Sequence, residues 1–124
     1  IKGELKYHTL HANTWISQLG SATPESIERL QTALNMAVPY ALGMFELSPF
    51  EDELRAEGVF EGEDILRQRW EEQVRKVLSR TKLEVTFDKI QPVFGGRLGH
   101  HSEHLHPLLQ EMSEVFRIDP NAEW

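Results

Sequence analysis

From Leu5 to Phe116 the apolar residues return at spacings of three and four, segment after segment, and that period belongs to amphipathic helices. Leu5, His8, Ala12, Trp15, Ile16 and Leu19 share one stripe. They predict a helix over residues 2–19, closed by Gly20 as a residue tolerant of left-handed geometry. Thr23 as N-cap and Pro24 at the first helical position open a second helix running toward Phe45, with Pro39 expected to kink it. Ser48-Pro49-Phe50-Glu51 reads as a capping box for a short helix ended by Gly58. A fourth helix near residues 63–80 gathers Leu66, Trp70, Val74, Val77 and Leu78, and a last one carries Leu105, Leu108, Leu109, Met112, Val115 and Phe116 and stops before Pro120. Between them, Leu83, Val85 and Phe87 alternate with polar residues, so residues 81–94 are expected to be extended and half-buried, followed by a loop rich in glycine. The expectation is five helices in an all-α architecture, one domain over residues 1–124.

Composition narrows the function classes. Thirteen Lys and Arg against twenty Asp and Glu leave a net charge of −7, which argues against a phosphate-tracking surface and so against nucleic acid as a partner. The absence of cysteine removes disulfides, thiolate nucleophiles, iron–sulfur clusters and thiolate zinc sites, so any metal must use His, Asp or Glu. No apolar run approaches the roughly 18 residues of a membrane span. A soluble, cytoplasmic protein with no membrane partner is expected. Ile1-Lys2-Gly3 offers no capping side chain, from which the first helix is expected to belong to a longer one, with part of the core outside this chain.

Two constellations carry candidate chemistry. At about 100° per residue, Glu4, His8 and His11 lie within roughly 60° of one another and point where Trp15 and Leu19 point. Helix-borne carboxylate and imidazole facing a bundle interior is how di-iron carboxylate proteins hold metal, although those use Glu-x-x-His and Tyr7 occupies that place here. The plainer reading is a buried hydrogen-bonded pair on a packing face. The second constellation, His100, Glu103 and His104, matches the inverted zinc-peptidase pattern His-x-x-Glu-His and defines the alternative of a metal-dependent hydrolase. Gly99 before it and Pro107 after it argue against an established helix through His100, no third ligand is identifiable, and Ser102 reads more simply as a helix cap. Gly95-Gly96-Arg97-Leu98-Gly99 reads either as a plain flexible turn or as an anion cradle whose amides and Arg97 face a phosphate. It lacks the Walker Lys-Ser pair and the dinucleotide spacing.

The last thirty residues say more. Gly95-Gly96-Arg97-x-Gly99-x-His101-Ser102-Glu103-His104-Leu105, then Leu109-x-Glu111-Met112, Arg117, Pro120 and Trp124, closely resemble the C-terminal signature of the structural (PaaC-type) subunits of phenylacetyl-CoA epoxidase, also called phenylacetate-CoA oxygenase. The resemblance continues upstream in Glu4-x-x-Tyr7-His8, Trp15-x-x-x-Leu19-Gly20, Pro39-Tyr40, Phe45 and the segment around Trp70, and so covers the chain. Gly43 departs from it, standing where relatives tend to carry a carboxylate. His100 and His106 stand where relatives often lack histidine, which weakens the zinc reading.

The resemblance implies the C-terminal half of a ferritin-like subunit, with residues 1–19 as its last core helix and a helical tail behind. It implies a noncatalytic structural subunit of a multicomponent di-iron oxygenase (a monooxygenase complex) that epoxidises phenylacetyl-CoA in aerobic phenylacetate degradation. The di-iron centre is then expected in the partner catalytic subunit, with no cofactor in this chain. The partners implied are that subunit, the N-terminal half of the same subunit, and a second copy in a homodimer. No catalytic residue is expected here. Arg97, His101, Glu103 and His104 are expected to form a structural or partner-contact motif, and Glu4, His8, His100 and His104 are the weaker metal candidates.

Overall fold

The computed structural model describes residues 1–123, so Trp124 lies outside the described residues. The all-α architecture expected from the periodicity is present, with no strand among the described residues, as a ferritin-like helical fragment requires. The order is α1 (Lys2–Leu19), α2 (Pro24–Leu42), a 3-10 turn at Gly43–Phe45, α3 (Glu51–Ala56), α4 (Glu63–Leu78), 3-10 turns at Phe87–Lys89 and Gly96–Leu98, then α5 (Leu105–Met112) and α6 (Glu114–Ile118). By its packing the chain divides into two units, Ile1–Phe94 and Gly95–Trp124.

In the first unit α2 starts where Thr23 and Pro24 place it. A reciprocal pair completes the cap: the Ser26 amide donates to Thr23 Oγ1 at 3.1 Å and the Thr23 amide to Ser26 Oγ at 3.0 Å. The helix runs through Pro39 to Leu42 before tightening into the 3-10 turn. Its inner face supplies Val38 and Leu42, which close on Phe87 from the extended segment, with Leu34, Trp70, Val74, Val85 and Ile90 packed around them. Trp70 stands between Phe45 and Phe87, ring centroids 5.6 and 5.5 Å away, and the Arg75 guanidinium lies 4.7 Å from the centre of the Phe87 ring. Residues 79–94 thus form a strap tied to both earlier helices. The Lys82 amide donates to the Gly20 carbonyl at 2.8 Å, and the Gln31 carboxamide brackets Glu84.

Three local expectations are corrected. Gly20 ends α1 with a right-handed φ of −71°, so glycine is not there for left-handed geometry. A Cβ would lie 2.7 Å from the Ile16 carbonyl and 2.9 Å from the Thr81 side chain, and the missing side chain is what admits the strap. The Ser48 capping box does not form. Ser48 Oγ accepts from the Phe50 amide at 3.3 Å, while the Glu51 carboxylate is buried and accepts the Glu63 amide at 3.1 Å, capping α4 instead of its own helix. The final helix is two pieces, because Ser113 turns its hydroxyl onto the Leu109 carbonyl at 2.6 Å and leaves helical geometry, giving six α-helices among the described residues rather than five.

In the second unit Gly95 and Gly99 take φ values of +112° and +86° on either side of the turn at Gly96–Leu98. The His100 amide closes the loop onto the Gly95 carbonyl at 2.9 Å. α5 and α6 follow with Leu108, Leu109, Met112, Val115, Phe116 and Ile118 all exposed.

Candidate functional site

α1 is an uninterrupted helix with no buried residue, and its two sides do different things. Thr9, Asn13, Ile16 and Gly20 recur at helical spacing on one edge, and that edge turns inward, Gly20 being buried and Asn13 and Ile16 half-buried. The expected stripe lies mainly elsewhere. Leu5 is 61% exposed, Trp15 49% and Leu19 39%, with Glu4, His8 and His11 exposed as well, so the buried Glu4–His8 pair of the plainer reading is not what forms. The close approach of the strap at Gly20 draws in the edge of Asn13 and Ile16 and leaves the edge of Leu5, Trp15 and Leu19 outside.

On that outer edge the rings form a ladder. Tyr7 and His11 stack at 5.9 Å with planes 26° apart, His11 meets Trp15 edge-on at 6.1 Å, and Tyr7 meets His8 at 5.7 Å. Leu10, Thr14 and Gln18 complete a shallow cleft beside Tyr7, His11 and Trp15. Exposed aromatic side chains in contact with one another are the usual material of protein interfaces.

The same geometry bears on the metal candidates. A di-iron carboxylate centre draws Glu and Glu-x-x-His donors from several helices. Here Glu4 and His8 supply two donors on one exposed helix, and among the described residues no group of three or more His, Asp or Glu is placed to hold a metal ion. The donors among the described residues do not by themselves make up such a centre. The His-x-x-Glu-His pattern is not assembled either. His104 is the residue before α5, His100 and His101 precede it in irregular chain, and Pro107 sits in the first turn, so His100 and His104 are not one turn apart on a helix. The hydrolase alternative therefore has no site. Ser102 does not cap α5, whose first residues carry no side-chain cap. His101, Glu103 and His104 are exposed neighbours at the entrance to α5, and Arg97 sits in the glycine-flanked turn before them.

Two features escaped sequence reading. The first is a charged network around the start of α4. Arg55 reaches Glu51 at 3.2 Å and Asp64 at 3.1 Å, and a Cβ at Gly62 would collide with its guanidinium. The Asp64 carboxyl is held below its ordinary value by the hydrogen bond from Arg55, and Arg69 does the same to Glu61 through a two-pronged contact. The second is an apolar groove of about 540 Å³ between α1, α2 and α4, floored by Val38 and edged by Ala37, Ala41, Trp70 and Gln73. The alanines at 37 and 41, one turn apart on α2, are its signal in the sequence. No helix among the described residues is long and apolar enough to cross a membrane.

Comparison with known proteins accounts for the whole chain. A family model described as phenylacetic acid catabolic protein matches residues 1–124. The chain is 30% identical over 121 residues to one of the subunits of the 1,2-phenylacetyl-CoA epoxidase of Escherichia coli (strain K12), in an alignment that takes in 98% of this chain and 48% of that relative. The chain thus spans about half the length of the curated relative it matches.

Proposed function

The chain belongs to the phenylacetic acid catabolic protein family, and on that premise we propose that it acts as a noncatalytic structural part of a multicomponent di-iron oxygenase that epoxidises phenylacetyl-CoA. It supports the catalytic subunit, in which the iron resides, and works in the cytoplasm. Its further partners are the remaining half of its own subunit and, where the complex is symmetric, a second copy. The observation that carries the reading is the outer edge of α1. Glu4 and His8 stand there with no third His, Asp or Glu placed to share a metal among the described residues, beside an exposed ladder of Tyr7, His11 and Trp15. Such an edge suits contact with protein better than redox chemistry. Arg97, His101, Glu103 and His104 form a second contact, a charged node ahead of the apolar tail.

The test is reconstitution. The complete subunit, purified alone, should bind little iron and turn over nothing. Glu4→Ala and His8→Ala should lower its solubility or its recovery on a tagged catalytic subunit more than they lower the rate of the complex that does form. A stoichiometric iron pair with oxygen-dependent turnover in the subunit alone would overturn the reading.

A further inference from the structure

We propose that the outer edge of the strap takes up an extended, acidic segment of another protein, which adds there as a short strand beside residues 83–86. The inference is independent of the subunit role above, because it uses only the strap and the end of α4.

Three observations favour that occupant. The first is the backbone. Burial alternates along this stretch, with Leu83 and Phe87 buried and Glu84 and Thr86 exposed, as in an extended chain. In such a chain the amide and carbonyl of one residue point to one side and those of the next residue to the other. Gln31 occupies both groups of Glu84, so those of Val85 point away from α2. Neither has a partner among the described residues, and nor has the Leu83 carbonyl, while the Leu83 amide donates to Thr81 Oγ1 at 3.1 Å. One donor between two acceptors matches a peptide main chain, whereas a phosphate would meet the carbonyl oxygens. The second is space. An open groove of about 440 Å³ follows the same residues and is lined from α4 by Arg75, Leu78 and Ser79. The third is charge. Residues 75–82 hold Arg75, Lys76, Arg80 and Lys82 and no acid, in a chain of net charge −7. All four are exposed, and Lys76, Arg80 and Lys82 make no ion pair among the described residues. Arg75 and Lys76 answer the dipole of α4, but Lys82 lies in the strap and lines the groove, with Glu84 as the opposing charge. A segment bearing Asp or Glu complements that rim.

The test uses a capped, fluorescein-labelled peptide of alternating glutamate and valine, as long as the strap segment 81–87, titrated at low salt into the complete subunit. Saturable binding is expected by anisotropy, with slowed amide exchange confined to residues 82–87. Lys82→Glu should weaken binding about tenfold while the exchange of α2 stays unchanged. A peptide with lysine in place of glutamate should bind at least tenfold more weakly. The acidic peptide N-methylated at every amide keeps its charge but has no main-chain donor, and its binding should be lost. Absence of binding by the acidic peptide, equal binding of the N-methylated or the lysine peptide, slowed exchange elsewhere, or equal binding of an oligonucleotide of matching charge overturns the proposal. Protection of the Val85 amide before any peptide is added also overturns it, because the edge would then be covered by the subunit itself or by a second copy.

Discussion

The amide of Val93 donates to the carbonyl of Pro39 at 2.9 Å, fastening the end of the strap to the last turn of α2. Proline has no amide of its own, so this turn is already short of one helical hydrogen bond. The contact brings the Val93 carbonyl over Gly43, where a Cβ would fall inside van der Waals distance. Glycine at position 43 is in this structure a requirement of the strap.

Gly43→Ala should therefore destabilise the protein by about 1 to 3 kcal/mol through overpacking against backbone that cannot step aside. Gly3→Ala should do the opposite. Gly3 lies in α1 with nothing near its Cβ position, and alanine there should add about 0.5 kcal/mol through helix propensity. Urea midpoints of the two variants, compared at unchanged m-value, check both signs.

The middle of the strap hangs on Gln31. Its Nε2 donates to the Glu84 carbonyl and its Oε1 accepts the Glu84 amide, each at 2.9 Å, so one carboxamide replaces a rung of sheet pairing. Gln31→Ala should cost about 1 to 2 kcal/mol and release the Glu84 amide to fast hydrogen exchange while the amides of α2 stay protected. Gln31→Glu should lose nearly as much, since a carboxylate cannot donate to the Glu84 carbonyl.

How much of this is legible in the sequence depends on whether a signal is local. The Thr23-Pro24 start, the α1 and α4 periods and the burial of Leu83 and Phe87 all follow from neighbours within a turn or two, and the structure keeps them. What escapes is set by partners far along the chain. Glu51 leaves its own capping box because the Glu63 amide, twelve residues on, competes for its carboxylate. The stripe of α1 is apolar as its period requires, but which edge packs is decided by the strap meeting Gly20, a contact across some sixty residues. The candidate site follows the same rule. Spacing puts Glu4 and His8 on one face, but nothing in the spacing says that no third donor among the described residues meets them.

The two ion pairs beside α4 predict an acid limb in stability. Hydrogen bonds from Arg69 and Arg55 hold Glu61 and Asp64 below their ordinary values of 4.5 and 3.8. A carboxylate lowered in the folded state adds stability above its unfolded value, and that stability is lost as pH falls through the folded value. The loss should therefore set in below 4.5 for Glu61 and below 3.8 for Asp64. Both carboxylates are solvent-exposed, so the effect should be small and should fade with added salt. Carboxyl-carbon NMR titration checks the assignment: Arg69→Ala should return Glu61 to its ordinary range and leave Asp64 where it was.

The tail should separate folding from assembly. Leu109 and Phe116 are 50% and 54% exposed, Leu108, Met112 and Val115 are exposed as well, and all belong to the second packing unit and not to the one whose core is built on Val38, Leu42 and Phe87. Leu109→Lys combined with Phe116→Lys removes no buried contact of the first unit, so the thermal unfolding of that core should move by no more than about 0.5 kcal/mol. If the tail is an interface, two of its anchors have been replaced by charge. At about 1.4 kcal/mol per tenfold change in affinity, the loss of one good anchor already lowers recovery on a tagged catalytic subunit by an order of magnitude. Unchanged recovery with an unchanged core would mean that the exposed apolar residues of α5 and α6 do not meet that partner. Reduced recovery with an unchanged core would place the contact on the tail.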